Sequence, residues 1–228
     1  MGSSLTEPAA MLTNRIDKAT VRAWRTSLVA WSEPDGFALQ VEEIRATPGF
    51  REAVFKQAGF DFFRDAWMAG RIASYLGPKR VRLCPDAGLD FELDFDCEIK
   101  KYEVTEADKP GRRRGDEAIE SVPKPDPVEA WRRRFEAIYP AVTGVVQKKI
   151  KKPYTIDTHL VIYVNLGCYG AYRDEGIEVL RHATESAKDH FREVLTYWEG
   201  NLYRFWKGGK DEFQAWTPHS LDDVDDWP

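Results

Sequence analysis

Hydrophobic positions change their period along this chain. Over residues 14–31 they recur at helical spacing (Ile16, Val21, Trp24, Leu28), which predicts an amphipathic helix. Glu33-Pro34-Asp35-Gly36 reads as the turn that follows it. Helical stretches return over residues 50–57 and 60–76. The second carries Phe62, Phe63, Trp67, Ile72 and Leu76 and stops at Gly77-Pro78. The pattern then alternates: residues 80–84 predict a short strand, and residues 89–95 and 99–106 a hairpin about Asp96-Cys97. Residues 128–152 are helical again, with Trp131, Phe135, Ile138, Val142, Val145, Val146 and Ile150 on the apolar side and Pro140 kinking or splitting the element. A buried strand over 160–166, a helix over 176–191 and a hairpin of 193–198 and 202–206, joined at Glu199-Gly200-Asn201, complete the order. A strand–helix–strand crossover beside an antiparallel hairpin makes the fold class α/β, a mixed central sheet flanked by helices with extra amino-terminal helices.

The first hairpin carries the candidate chemistry. A turn of two or four residues makes the numbers of paired residues sum to a constant. Leu89, Phe91, Leu93 and Phe95 then share the core face with Tyr102 and Val104, while Asp90, Glu92 and Asp94 face Glu103, Lys101 and Ile99. Glu92 opposite Lys101 is a favourable pair. Asp90 opposite Glu103 is not, unless a cation lies between them. That opposition suggests a divalent-metal site with Asp90 and Glu103 as ligands and the Val104 carbonyl as a third oxygen. Glu106 points to the other face and is not included. The competing reading makes these acids the solvated face of a two-stranded ribbon.

Element order and hairpin residues together resemble the PD-(D/E)XK nuclease superfamily, the restriction-endonuclease-like fold. Pro85-Asp86 and Asp90 lie before and within the second strand, Glu103-Val104-Thr105 lies on the third, and Lys149, Lys152 and Tyr154 precede the strand LVIYVNL. The resemblance covers residues 60–206 and implies a core of helix, three strands, helix and strand. It also implies Mg²⁺ or Mn²⁺ as cofactor and hydrolysis of phosphodiester bonds in DNA or RNA, DNA favoured, with a possible homodimer. Thr105 stands where the family has its catalytic lysine. Either Lys149, on the inward side of its helix, supplies the missing charge, or the site is weakened or dead. In the second case the chain is an inactive module of the same fold that binds nucleic acid or a protein partner. A third reading is an unrelated α/β interaction domain.

Composition narrows these readings without choosing among them. The 228 residues support one domain over 14–216, between a disordered leader at 1–13 and an acidic tail at 217–228. The net charge of −5 gives no general affinity for nucleic acid. Basic runs at Arg112-Arg113-Arg114, Arg132-Arg133-Arg134 and Lys148 to Lys152 give local ones, and Arg112, Arg113, Arg114 and Lys152 are the candidate phosphate contacts. Taken alone, each run better suits a solvated helix face or loop. Three cysteines without CxxC spacing, no signal-peptide pattern and no apolar run near ~20 residues predict a cytoplasmic protein with no membrane partner. The histidines lack zinc-site spacing, and no phosphate-loop or GxSxG motif occurs.

Overall fold

In the computed structural model, which describes residues 15–85, 88–109 and 131–218, the alternating segments pair into one seven-stranded sheet. Four helices come first: α1 (Lys18–Val29), α2 (Pro34–Arg45), α3 (Phe50–Lys56) and α4 (Asp61–Leu76). Strands β1 (Arg80–Leu83), β2 (Phe91–Asp94) and β3 (Ile99–Ala107) precede the long helix α5 (Trp131–Lys149). Then come β4 (Thr158–Val164), α6 (Arg173–Thr184) and a short 3₁₀ turn (Glu185–Ala187). The chain ends in β5 (Glu193–Trp198), β6 (Asn201–Lys207) and β7 (Lys210–Trp216). Strands lie in sequence order, antiparallel except for the parallel pairs β3–β4 and β4–β5. The architecture is therefore a mixed central sheet flanked by helices, with extra amino-terminal helices.

Each face of the sheet has its own core. On one side α4 lays Phe63, Trp67 and Ile72 in a core with Phe91, Leu93, Tyr102, Val104, Val161 and Tyr163, to which α1 to α3 add Leu28, Phe37 and Phe50. On the other, α5 and α6 lay Ile138, Val142, Val146 and Leu180 against Leu160, Ile162, Val164, Val194 and Trp198. Buried on both faces, β4 reads as a continuous apolar run, as parallel central strands do. Gly176 in α6 lies flat on the Trp198 ring, where any Cβ would collide with it.

The hairpin register is the predicted one. Phe91 pairs with Tyr102, Glu92 with Lys101 and Asp94 with Ile99, around an Asp96-Cys97 turn in which Asp96 takes a left-handed φ of 64°. The β5–β6 turn is also tight: Glu199 and Gly200 both have positive φ, the requirement of a type I′ hairpin. The acids of β2 are not a solvated face. Glu92 and Asp94 are buried, and Arg82 and Arg80 of the neighbouring edge strand donate to them at 2.7 and 2.9 Å.

Several expectations need correction. Glu33 to Gly36 is not a turn but the start of α2, with Pro34 in the first helical turn, where a missing N–H costs nothing. Pro140 lies inside α5 without splitting it, because the buried stripe Ile138, Ala141, Val142 and Val146 holds the helix on the sheet. The helix predicted to reach Phe191 ends at Thr184, whose hydroxyl bonds back to the Leu180 carbonyl at 2.8 Å and accepts from Trp206 Nε1 at 3.0 Å. Strand β7 was not expected. Trp131, assigned to the apolar side of its helix, is half exposed, because the first turn of α5 meets a loop instead of the sheet. The proposed leader, Asp86, Arg112 to Arg114 and the tail beyond Pro218 lie outside the described residues.

Candidate functional site

Strand β3 outruns β2, and the notch this leaves is where the candidate residues meet. Pairing with β2 ends at Tyr102, while residues 103–107 continue beside β4. At the end of the ladder the Asp90 N–H donates to the Tyr102 carbonyl at 2.9 Å. Its carboxylate takes over from the missing strand: Val104 N–H donates to Asp90 Oδ2 at 2.6 Å. Asp90 is thus fixed beside β3, one residue beyond the last paired position.

Glu103 points to the α5 side and is 4 % exposed. The last residue of α5, Lys149, reaches it: the ammonium donates to Glu103 Oε1 and, at 2.9 Å, to the Val104 carbonyl. Tyr154 O–H donates to the same Oε1 at 2.6 Å, and Lys152 Nζ lies 3.8 Å away. Burial and this bond to Glu103 hold the Tyr154 phenol protonated far above its ordinary range. Thr105 sits two positions along β3 from Glu103, half-buried and opposite Ile162. Asp90, Glu103, Thr105, Lys149 and Lys152 therefore gather at one notch.

Sequence reasoning missed the contribution of α4. Asp65 bonds the Arg64 guanidinium at 3.1 Å, and its charge acts on Asp90. Burial raises the Asp65 carboxyl, and Glu103 adds to the effect. The signal was present: Asp65 falls in the same helical stripe as Phe62, Ala69 and Ile72, an acid on a core-facing stripe. Asp90 carries the largest consequence. Burial, then Asp65, then Glu103 push its carboxyl up to about 7. Lys149 and Lys152 serve Glu103 and Arg64 serves Asp65, so Asp90 is the acid with least compensation. On the other face, Asn165 Nδ2 bridges Glu106 and Asp108 at 3.1 and 3.2 Å.

The oxygens expected to bind a divalent ion are already engaged within the chain. Among the described residues no group of three or more His, Cys, Asp or Glu side chains is arranged to hold a metal. The two oxygens of β3 expected to bind one, Glu103 Oε1 and the Val104 carbonyl, both accept from Lys149. No helix among the described residues is long and apolar enough to cross a membrane. The chain matches no family model, and no curated protein or solved structure is significantly similar to it. The fold is compatible with the nuclease superfamily and specific to no named one.

Proposed function

We propose that this chain is a nucleic-acid-binding module of restriction-endonuclease-like architecture, in which the Lys149 ammonium replaces a divalent ion as the cation of the notch. The observation that carries this reading is the double bond of Lys149 to Glu103 and the Val104 carbonyl. A lysine there balances a buried carboxylate permanently, and it makes Thr105 in place of the family lysine intelligible. Around it, the partly exposed cations Lys152, Arg64 and Lys101 provide contacts for a phosphate backbone. Fluorescence anisotropy of labelled single- and double-stranded DNA and RNA, in EDTA at low salt, tests it. The reading predicts binding that weakens steeply with salt and falls several-fold in Lys152→Ala. Absence of binding to every oligonucleotide would overturn it.

One observation favours a second reading, a Mg²⁺- or Mn²⁺-dependent nuclease with Asp90 and Glu103 as ligands and Lys149 as the catalytic cation. The Asp90 carboxyl, pushed up to about 7 by burial and then by Asp65 and Glu103, carries the kind of uncompensated charge that a bound cation relieves. Cleavage of DNA or RNA in Mn²⁺ that disappears in Asp90→Asn would establish this reading in place of the first.

A further inference from the structure

At the opposite end of α5 from Lys149 is a second constructed feature, which the notch does not use. After β4 the chain turns through Gly167 to Gly170, and Tyr169 is held there with a left-handed φ of 52° while 68 % exposed. Non-glycine residues rarely adopt that conformation, and bulky ones least of all. The loop is clamped from below. The Glu199 carboxylate, from the β5–β6 turn, accepts from Cys168 N–H and, at 3.1 Å, from Gly170 N–H. Trp198 Nε1 donates to the Leu166 carbonyl at 2.9 Å, and Arg134 Nη1 donates to the Gly167 carbonyl at 3.4 Å.

Trp131, 52 % exposed, completes the surface. Its ring centroid lies 6.0 Å from that of Tyr169, the planes inclined by 48°. The Arg134 guanidinium sits 5.7 Å from the Tyr169 ring centre. Arg132 and Arg133 are exposed on the same turn of α5. Two large aromatic side chains, one from the first turn of α5 and one from the loop, are thus exposed side by side instead of being buried.

We propose that Trp131, Tyr169 and Arg134 form a stacking platform for unpaired bases of a single-stranded nucleic acid. Aromatic rings beside guanidinium groups stack on any base, and the adjoining arginines suit the phosphates between bases. Arg132 and Arg133 stay exposed on the same turn as Trp131, which favours a polyanionic ligand. A duplex keeps its bases stacked out of reach. Trp131 and Lys149 are separated by about 27 Å along α5, so the platform is a site distinct from the notch. The inference rests on the nucleic-acid reading above, but not on cleavage.

Anisotropy with a fluorescein-labelled oligothymidine and with a labelled duplex, in EDTA, tests the platform. Trp131→Ala and Tyr169→Ala are expected to weaken single-strand binding about tenfold each, and Trp131→Phe to retain most of it. Tyr169→Gly removes both the ring and the strain, so its melting temperature holds or rises while its affinity falls as in Tyr169→Ala. Duplex binding stays at the wild-type level in all four. Single-strand affinity within twofold of wild type in folded Trp131→Ala and Tyr169→Gly would overturn the platform. A wild type that binds duplex alone overturns the platform and leaves the reading of the notch standing; one that binds neither overturns both.

Discussion

Replacing Asp90 with asparagine should make the folded chain more stable, by a margin that opens above about pH 4 and is complete above about pH 7. The carboxyl is pushed up to about 7 from 3.8 by burial and by Asp65 and Glu103. Between those values the folded chain keeps a proton that the unfolded chain has released, so Asp90 lowers stability as pH rises through the window. At about 1.36 kcal/mol per unit the ceiling is about 4 kcal/mol; partial exposure and repulsion shared with Asp65 reduce the expected gain to about 1–3 kcal/mol. Asparagine retains an oxygen for the Val104 N–H, so the bond at 2.6 Å survives. Urea unfolding of both proteins at several pH values is the assay. Asp90→Asn should exceed wild type near pH 8 and converge with it near pH 4. A gain independent of pH, or a loss at pH 8, would refute the reasoning.

Lys149→Met strands the buried Glu103 carboxylate and should cost about 2–4 kcal/mol. Adding Glu103→Gln should recover at least about 1 kcal/mol, a coupling that a double-mutant cycle in urea measures. Gly176→Ala places a methyl into the Trp198 ring and should destabilise by about 1–3 kcal/mol in the same assay, with no change in nucleic-acid binding. Burial would raise Glu193, but the His159 hydrogen bond at 3.0 Å and the charges of His159, Lys100 and Arg204 bring it down to about 2. Its contribution is complete above about pH 4.5 and lost as pH falls toward about 2, so acid unfolding of Glu193→Gln should show a shallower pH dependence there.

What the sequence made legible depended on how much each element declares itself. The hairpin register follows from a two-residue period with one ion pair to fix it, and β2 and β3 adopt that register over four positions. Lys149 was legible because it lies on the inward side of its helix and the resemblance, with Thr105 in the lysine position, called for a lysine from elsewhere. Pro34 misled because proline serves a turn and a first helical turn equally; the stripe Phe37, Val41, Ile44 was the better guide. Strand β7 has almost no buried alternation. It is held at the edge by Arg204 on Glu212 and Arg181 on Asp211, contacts that no periodicity announces. The exposure of Trp131 depends on where α5 begins relative to the sheet, a tertiary fact.

The central claim is that Lys149 is the cation of the notch, and a Mn²⁺ titration followed by thermal unfolding tests it most directly. Wild type should show no shift. Lys149→Met should gain about 2–4 °C for each kcal/mol of Mn²⁺ binding, and the further change Glu103→Gln should abolish that gain. A wild-type chain that Mn²⁺ stabilises, with the effect lost in Asp90→Asn and in Glu103→Gln, would contradict the account and return the notch to a metal.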